Sequence, residues 1–489
     1  MRSTDKVMPR HGSSHAAEYE PLTGPDTPTE MQPEDIILDD DDDDEFSADS
    51  SPDEPPFSWV DYGVFVFLGL AMLWAWNMFL AAAPYFESRF QGSPWIKTNF
   101  QPTIMTVSTT TSLAAVLILT KRQRSASYPL RISCGLLLNV ATFALLTAST
   151  TVALGVSPVA YFVFVLAMVA ATSVATGLLQ NGALAFASSY GRPEYMQALV
   201  TGQGVAGMLP ALAEVLSVLL FPSGGSGDRS SDASVSTAAA EGKTSAFVYF
   251  LAAVVISVVA MVAMIPLRRQ NKRNAQYRVL RPAGAADEDT DEDDRSAPAR
   301  KVVPMRVLFA KLRWLALGVA LIFTTTMFFP VFTAKIRSVR EPADPWAGGL
   351  LAPDAFIPLA FFVWNCGDFA GRVATALGSA RRGLGANSSR GGRPKLLFKL
   401  AALRIVQLPL YLLCNIGGRG AAVPSDLFYL LLVQLPFGLT NGWLCARLMT
   451  SAGSWVDEGE REAAGGFMGM CLIIGLTAGS LLSFSIAGI

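Results

Sequence analysis

Histidine, charge and paired cysteines are scarce in this 489-residue chain, and each scarcity excludes a class of function. Only 16% of the residues are charged, against about 25% in soluble proteins, and 51% are hydrophobic. The two histidines, His11 and His15, lie in a polar N-terminal tail, and the five cysteines lie in apolar stretches without a Cys-x-x-Cys or metal-ligand spacing. The sequence therefore predicts an integral membrane protein that is not an enzyme and has no catalytic centre, metal site or cofactor.

Apolar stretches long enough to cross a bilayer occur eleven times, beginning near Ser58, Phe100, Leu130, Pro158, Met196, Ser245, Val307, Pro353, Leu396, Ser425 and Ala463. They predict an all-α polytopic protein in four parts. Residues 1–56 form an acidic tail that we expect to be disordered, and residues 57–267 hold spans one to six. Residues 268–305 form a charged linker loop, and residues 306–489 hold spans seven to eleven.

The positive charges predict the orientation of these spans. Lys and Arg cluster in Lys121–Arg131, in Arg268–Arg281 with Lys301–Arg313, and in Arg381–Arg404, all on one side of the predicted membrane. The loops on the opposite side carry few, and one of them, Ser223–Lys243, is rich in Gly and Ser. By the positive-inside rule the N-terminus is cytosolic, and eleven spans place the C-terminus on the far side.

Asp368 and Arg372 form the strongest candidate site, since both lie in an otherwise apolar span. A single charge at the bilayer centre costs several kcal/mol, roughly 2.5–3.5 on insertion scales. At a spacing of four residues the two side chains share one helix face and are able to neutralise each other. Such a pair at membrane depth is typical of a polar cavity that holds a transported solute.

Three further clusters place polar or aromatic groups at membrane depth. Trp76, with Trp74 and Asn77, belongs either to a cavity wall or to an interfacial aromatic belt. Gln180 and its neighbouring amide either read a solute or hold helices together. The small residues Gly202, Gly204 and Gly207 favour close helix packing.

Glu214 is a lone carboxylate in the fifth span. It is either a proton or cation site or a structural partner of a neighbouring Arg, and the sequence leaves both open. Amides, aromatic rings and one ion pair together suit a neutral solute with a flat ring and several hydroxyls. The residues themselves do not decide between a nucleoside and a sugar.

The order of these clusters resembles the equilibrative nucleoside transporter family. The motifs that carry the resemblance are Gly69-Leu-Ala-Met-Leu-Trp-Ala-Trp-Asn77, Gln180-Asn-Gly182, Gly202-Gln-Gly-Val-Ala-Gly207, Trp364-Asn-Cys-Gly-Asp-Phe-Ala-Gly-Arg372, Arg404–Pro409, Asn441-Gly442 and Glu462-Ala-Ala-Gly465. The resemblance covers about residues 55–488, and the long acidic N-terminus is most similar to fungal vacuolar members.

This resemblance implies a fold like that of the major facilitator superfamily, with a bundle of six helices and a bundle of five that rock around a midplane site. It implies that Trp76, Gln180, Asp368 and Arg372 bind the substrate, and Asn365 lies in the same motif as the pair. Gln180 would read the base, while Asp368 and Arg372 would hold the ribose and base edge. The expected substrates are nucleosides such as adenosine and uridine, with nucleobases as a further class.

The expected mechanism is facilitative, because the sequence has no Gly-x4-Gly-Lys-Ser/Thr motif for ATP. The alternative is a proton- or cation-coupled carrier of nucleosides or organic cations that uses Glu214 or Asp368. The expected surroundings are the lipid bilayer, with no nucleic acid and no obligate protein partner. Tyr19-Glu-Pro-Leu22 fits a sorting signal and, with the fungal resemblance, favours a vacuolar or other endomembrane over the plasma membrane.

Overall fold

Apolar runs of membrane-spanning length form the long helices of this protein, which we describe from a computed structural model. The structure describes residues 57–122, 127–152, 155–220, 231–280, 303–340, 349–380 and 393–484. Its α-helices in the first part of the chain are Trp59–Ala81 (α1), Ala83–Arg89 (α2), Pro94–Lys121 (α3), Tyr128–Ser149 (α4), Pro158–Ser189 (α5), Pro193–Leu220 (α6) and Ser231–Leu280 (α7). Those in the second part are Met305–Thr326 (α8), Phe328–Thr333 (α9), Pro353–Ala380 (α10), Pro394–Leu403 (α11), Leu435–Ser451 (α12) and Arg461–Phe484 (α13).

The all-helical membrane fold expected from the sequence is confirmed. Within the described residues, 10 helical segments are long and apolar enough to cross a membrane. The eleventh expected span is α10, a helix of 28 residues that carries the charges of Asp368 and Arg372. We call α1–α7 the six-helix half and α8–α13 the five-helix half, after the number of spans in each.

Prolines account for several breaks within the spans, because a proline lacks the N–H of a helical hydrogen bond. Pro84 lies in the first turn of α2, where the first span changes direction after α1. The span that begins with α11 continues as a 3-10 helix, Arg404–Leu413, which contains Pro409. Pro436 follows a π-helical segment, Phe428–Gln434, at the start of α12.

Helix α7 is longer than its apolar span, Gly242–Arg269. Helix α7 extends through Leu280, so residues 268–280 of the expected linker loop are helical, and it begins at Ser231, inside the expected loop Ser223–Lys243. Charged and small residues that flank an apolar span are compatible with an α-helix, and hydropathy alone therefore places such ends too close to the span. The N-terminal tail, residues 1–56, lies outside the described residues.

Three apolar cores hold the helices together. The shared core contains residues of both halves, for example Phe65, Leu199, Leu312 and Met468. It includes the first part of α1 and the first part of α8.

The other two cores lie toward the opposite ends of the same helices. The six-helix core contains residues of α1 to α5 and of α7, such as Phe79, Phe100 and Phe250. The five-helix core is built around residues such as Phe332 and Tyr411, and Val215 of α6 joins it. The two halves therefore share one core where α1 and α8 begin and have separate cores farther along.

Candidate functional site

Asp368 and Arg372 form a buried ion pair on α10. The Arg372 Nε donates to Asp368 Oδ2 at 2.7 Å, and Nη2 lies 3.5 Å from Oδ1. Each residue is only 4% exposed. The spacing of four residues places both side chains on one face of the helix, and the pairing expected from that spacing is present.

Arg372 also joins the two halves of the molecule. Its Nη1 donates to the Val200 carbonyl oxygen at 2.7 Å and lies 3.5 Å from Gln203 Oε1, both on α6. In return, Gln197 Nε2 donates to the Arg372 carbonyl oxygen at 2.7 Å. A buried charge is tolerated when its hydrogen-bonding groups are satisfied. Here α6 supplies acceptors for the Arg372 donor that Asp368 does not bind.

Asp368 continues this network into α12. Its Oδ1 accepts from Asn441 Nδ2 at 2.7 Å, and Asn441 Oδ1 accepts from Thr326 Oγ1 at 2.7 Å and from Arg404 Nη1 at 3.2 Å. Asn441 is 1% exposed. Its amide thus connects the Asp368 carboxylate to a second buried cation.

Arg404 is a buried cation, although its sequence position groups it with the positive charges of the cytosolic loops. It is 2% exposed and lies inside the span Pro394–Leu413. Its guanidinium donates to the carbonyl oxygens of Ile322 and Phe437, both at 3.1 Å, and lies 4.4 Å from the centre of the Phe437 ring. A count of positive charges near span ends does not distinguish a buried arginine from an exposed one. The position of Arg404, ten residues into a span, does indicate burial.

The three glycines of α6 lie at close helix contacts. A Cβ at Gly202 would overlap the Val66 carbonyl oxygen of α1. A Cβ at Gly204 would lie 2.9 Å from Arg372 Cδ, and one at Gly207 would meet the side-chain oxygen of Asn365. These positions bring α6 against α1 on one side and against α10 on the other.

The remaining expected site residues form no hydrogen bond with the ion pair. Asn365 is half-buried and donates to the Phe361 carbonyl oxygen one turn earlier, at 2.9 Å. Trp76 is half-buried in α1, with its ring stacked on Phe79 at 6.0 Å. Gln180 of α5 is 5% exposed and forms no hydrogen bond with another described residue. Of the expected site residues, hydrogen bonds therefore connect Asp368 with Arg372. Among the described residues, no hydrogen bond connects this pair with Trp76, Gln180 or Asn365.

Glu214 is exposed on α6, one residue before the buried Val215. It forms no ion pair with a described Arg or Lys. The alternative that Glu214 pairs with a neighbouring Arg is therefore not found within the part of the chain that the structure describes.

Comparison with known families identifies the family of this chain. The family described as "Nucleoside transporter" matches residues 166–487, which include α6, α10, α12 and α13. The chain belongs to the nucleoside transporter family. The resemblance inferred from the helix motifs is confirmed, and the family is one of transporters, not of enzymes.

Individual relatives match over most of their length. Nucleoside transporter FUN26 of Saccharomyces cerevisiae is 29% identical over 464 residues, covering 87% of this chain and 83% of that protein. Equilibrative nucleoside transporter 1 of Rattus norvegicus is 25% identical, covering 86% and 95%. Equilibrative nucleoside transporter 2 of Homo sapiens is 26% identical, covering 88% and 98%.

Two solved structures share the fold. FucP, a major facilitator superfamily transporter in the outward conformation, matches with a TM-score of 0.50 and 14% identity, covering 88% of this chain and 96% of FucP. A bacterial homologue of the iron transporter ferroportin, in an outward-facing state, matches with a TM-score of 0.51 and 14% identity, covering 88% and 92%. The major-facilitator-like fold expected from the sequence is therefore confirmed.

In a member of the nucleoside transporter family, the Asp368–Arg372 pair offers two complementary groups. A carboxylate accepts hydrogen bonds from hydroxyls, and a planar guanidinium donates to hydroxyl and ring acceptors. Both groups lie where α10 of one half meets α6 of the other. The contact between the two halves thus contains one acceptor group and one donor group, which hydrogen-bond to each other.

Proposed function

We propose that this protein is a facilitative carrier that moves nucleosides across a membrane, down their concentration gradient, by alternating access. The observation that carries the proposal is the family match over residues 166–487, which includes the buried ion pair of α10. The six-helix and five-helix halves would rock against each other around a midplane site, as in other carriers built from two bundles.

The ion pair would bind the substrate only when α6 and α10 separate. Asp368 and Arg372 are each 4% exposed, and Arg372 is bonded to the Val200 carbonyl oxygen of α6. A ribose hydroxyl or a base acceptor would replace such a bond with one to the substrate, so both charges would stay satisfied during the exchange. Substrate binding would in this way favour the rearrangement that moves the two halves.

Trp76 and Gln180 would complete the site from the six-helix half. The Gln180 amide has no hydrogen-bond partner among the described residues, which leaves its donor and acceptor available for a purine or pyrimidine edge. The half-buried ring of Trp76 offers an aromatic surface for a flat base. Asn365, beside Gly207 at the α6–α10 contact, would lie at the edge of the same cavity.

The proposed orientation places the N-terminus in the cytosol, by the positive-inside rule. The shared core, which includes the beginnings of α1 and α8, would then close the cytosolic end. The separate six-helix and five-helix cores would face the opposite side, so the structure would correspond to a state closed toward the cytosol.

The multi-pass membrane protein is proposed to reside in the vacuole or another endomembrane, with the plasma membrane as the alternative. The sorting sequence Tyr19–Leu22 and the similarity to a fungal transporter support this location. Imaging of a fluorescent fusion, with Tyr19→Ala as the variant, tests it. Redistribution of the variant to the plasma membrane is expected, and a wild-type fusion at the plasma membrane contradicts the proposal.

Uptake of radiolabelled adenosine and uridine into proteoliposomes without ATP tests the transport proposal. We expect uptake that stops at equilibrium and accelerates when unlabelled nucleoside is preloaded inside, since an alternating-access carrier exchanges solute faster than it returns empty. Measurements at two pH values, with protein-free liposomes as the control, distinguish the coupled alternative. Accumulation above equilibrium that requires a pH step would establish proton coupling and contradict the facilitative mechanism.

A further inference from the structure

A basic cavity lies away from the ion pair, at the end of the five-helix half where α8 and α11 begin. Its volume is about 740 Å³, within the range of about 300–1,000 Å³ found for small-molecule sites. The start of α8, the start of α11 and Trp455, which follows α12, line it. Five cationic residues contribute to the wall, namely Lys311, Arg313, Arg393, Lys395 and Lys399.

Four of these five cations form no ion pair with a described residue. Lys311 is neutralised, because its Nζ lies 2.6 Å from Glu460 Oε2 and 3.1 Å from Asp457 Oδ2. The other four are exposed, namely Arg313, Arg393, Lys395 and Lys399. The cavity therefore has an excess of positive charge that an anion would balance.

Arg313 and Trp314 add a more specific feature. The Arg313 guanidinium lies 5.5 Å from the centre of the Trp314 ring, and that ring packs against Phe398 at 5.2 Å. Trp314 thus contributes its ring, and Arg313 its guanidinium, to the same wall of the cavity. The guanidinium is a planar donor suited to phosphate oxygens.

The start of α11 adds the positive end of a helix dipole. Pro394 has no N–H, and the N–H groups of Leu396 and Leu397 donate to the Arg393 carbonyl oxygen, so the helix end contributes its dipole and not a set of free donors. Lys395 and Lys399 lie one turn apart on this helix, so the ammonium groups and the helix end surround the same space.

The same wall carries apolar side chains at the membrane surface. Leu396 is 49% exposed and Trp455 is 39% exposed. Tryptophan beside lysine at the ends of membrane helices is typical of the headgroup level of a bilayer. An anion with attached acyl chains fits this mixture better than a free anion, because Leu396 and Trp455 would contact the chains.

We propose that this cavity binds the phosphorylated headgroup of an anionic phospholipid of the phosphoinositide class. Basic pockets between the cytosolic ends of membrane helices are suited to such headgroups. In the orientation proposed above, this end of the five-helix half faces the cytosolic leaflet. The site lies outside the proposed nucleoside pathway, and its occupation would tie the ends of α8 and α11 together.

Titration of the purified full-length protein in neutral detergent with dioctanoyl phosphatidylinositol bisphosphate tests the proposal. Affinity is followed by tryptophan fluorescence and by the shift in Tm. Lys395→Gln with Lys399→Gln should weaken binding at least about tenfold, since each cation near a membrane surface contributes about fivefold. Arg313→Gln removes the guanidinium beside Trp314, and should weaken binding about fivefold by the loss of one cation.

The matched control is Lys121→Gln with Arg122→Gln. These two exposed cations lie at the end of α3, on the same face in the proposed orientation, and do not line the cavity. Retention of wild-type affinity by this variant supports binding of the lipid in the cavity itself. Equal loss in both double variants, or unchanged binding in Arg313→Gln, would reduce the effect to general surface charge and overturn the proposal.

Two more measurements identify the occupant. The soluble inositol phosphate headgroup without acyl chains should bind at least about tenfold more weakly, because burial of a few methylenes contributes this much. Equal affinity for the soluble headgroup would exclude a lipid ligand. If wild type does not bind the lipid until the acidic residues of 287–294 are replaced by amides, the cavity holds this acidic segment and the lipid proposal fails.

Discussion

At the scale of single residues, the buried charges of this protein form one connected network. Arg372 bonds to Asp368, Asp368 to Asn441, and Asn441 to Arg404. Two cations and one carboxylate thus share the interior, and carbonyl oxygens and amides satisfy the remaining donors. In such a network the loss of one member leaves another charge buried without a partner, which costs more than the lost bond itself.

The first prediction follows from this dependence. Asp368→Ala and Arg372→Ala should each abolish nucleoside transport and lower stability by about 3–5 kcal/mol, because each strands a charge in a buried setting. Uptake into proteoliposomes and Tm in detergent measure the two effects. The control is Lys97→Gln, which breaks the exposed pair with Glu87, 3.5 Å long, and should cost under about 1 kcal/mol. A folded single variant of the buried pair that transports normally would remove the pair from the mechanism.

The second prediction concerns the unpaired amide of Gln180. Gln180→Leu should weaken nucleoside affinity by about 1–3 kcal/mol if the amide hydrogen-bonds the base, since the base edge then loses its partner. Affinity is measured on purified, monodisperse protein. Asn99→Leu, a similar change of an exposed amide on α3, serves as the control and should leave affinity unchanged. Unchanged affinity in Gln180→Leu would assign this residue to packing alone.

The third prediction concerns Glu214, an exposed carboxylate without an ion-pair partner among the described residues. Glu214→Gln keeps the shape and most hydrogen-bonding capacity while removing the charge. We expect adenosine uptake to persist and any uptake of organic cations or pH dependence to disappear. Parallel uptake of adenosine and a quaternary ammonium dye measures this. A wild type with neither cation uptake nor pH dependence would contradict a functional role for this carboxylate.

The residue-scale predictions from sequence succeeded where two charges share one helix and failed where a network crosses helices. The Asp368–Arg372 spacing was sufficient to predict their pairing, because i,i+4 geometry is local. Asn441, Gln197 and Arg404 were not assigned to the site. Their contacts depend on how α10, α12 and the span containing Arg404 pack, which a single sequence does not encode locally.

At the scale of helices, close approach is permitted by glycines in both partners of a contact. A Cβ at Gly69 of α1 would overlap the Leu199 carbonyl oxygen, as one at Gly202 would overlap that of Val66. On the other side, a Cβ at Gly442 of α12 would overlap the Asp368 carbonyl oxygen of α10. The overlaps are with backbone atoms, so side-chain movement cannot relieve them. Membrane helices associate through this kind of close contact because lipid provides no hydrophobic drive between them.

The fourth prediction tests these contacts. Gly202→Ala should lower stability by on the order of 1–3 kcal/mol, because α1 and α6 must separate to admit the methyl group. Gly63→Ala is the matched control on α1, where a Cβ would meet no atom within 4 Å and should stabilise the helix by about 1 kcal/mol. Tm in detergent measures both. A neutral Gly202→Ala beside a stabilised Gly63→Ala would show that the α1–α6 contact is looser than the structure indicates.

The spans themselves were predictable from sequence because each depends on a local apolar run of bilayer length. The expected starts at Pro158 and Pro353 coincide with the starts of α5 and α10. The apolar part of α7, Gly242–Arg269, lies close to the span expected from Ser245. The helix itself continues at both ends through polar residues, whose helicity depends on the helix already formed. The length of an apolar run thus predicts which segments cross the membrane. How far each helix extends beyond the run depends on whether the polar flanking residues join the helix already formed.

At the scale of the whole molecule, the two halves are held at one end. The shared core joins them where α1 and α8 begin, and α5 packs against α13 in this region. At the other end each half has its own core, with Val215 of α6 joining the five-helix core. No local sequence signal predicts which ends of the two halves pack together. This packing belongs to one state of a molecule whose two bundles move relative to each other.

The fifth prediction tests whether the α5–α13 contact opens during transport. A Cβ at Gly466 would lie 4.0 Å from the Cβ of Ala185, within the distance of about 3.5–4.5 Å that a disulfide spans. Ala185→Cys with Gly466→Cys should therefore cross-link under mild oxidation and stop nucleoside uptake, and a reductant should restore it. Each single cysteine variant, treated in the same way, is the control for the oxidant and for the free cysteines. A protease site placed between residues 281 and 302 reports the cross-link, because the two halves then remain joined only in the oxidised double variant. Full cross-linking with undiminished uptake would mean that this end of the molecule stays closed throughout the cycle. The substrate would then cross without separation of the two halves at this end, which contradicts the proposed mechanism.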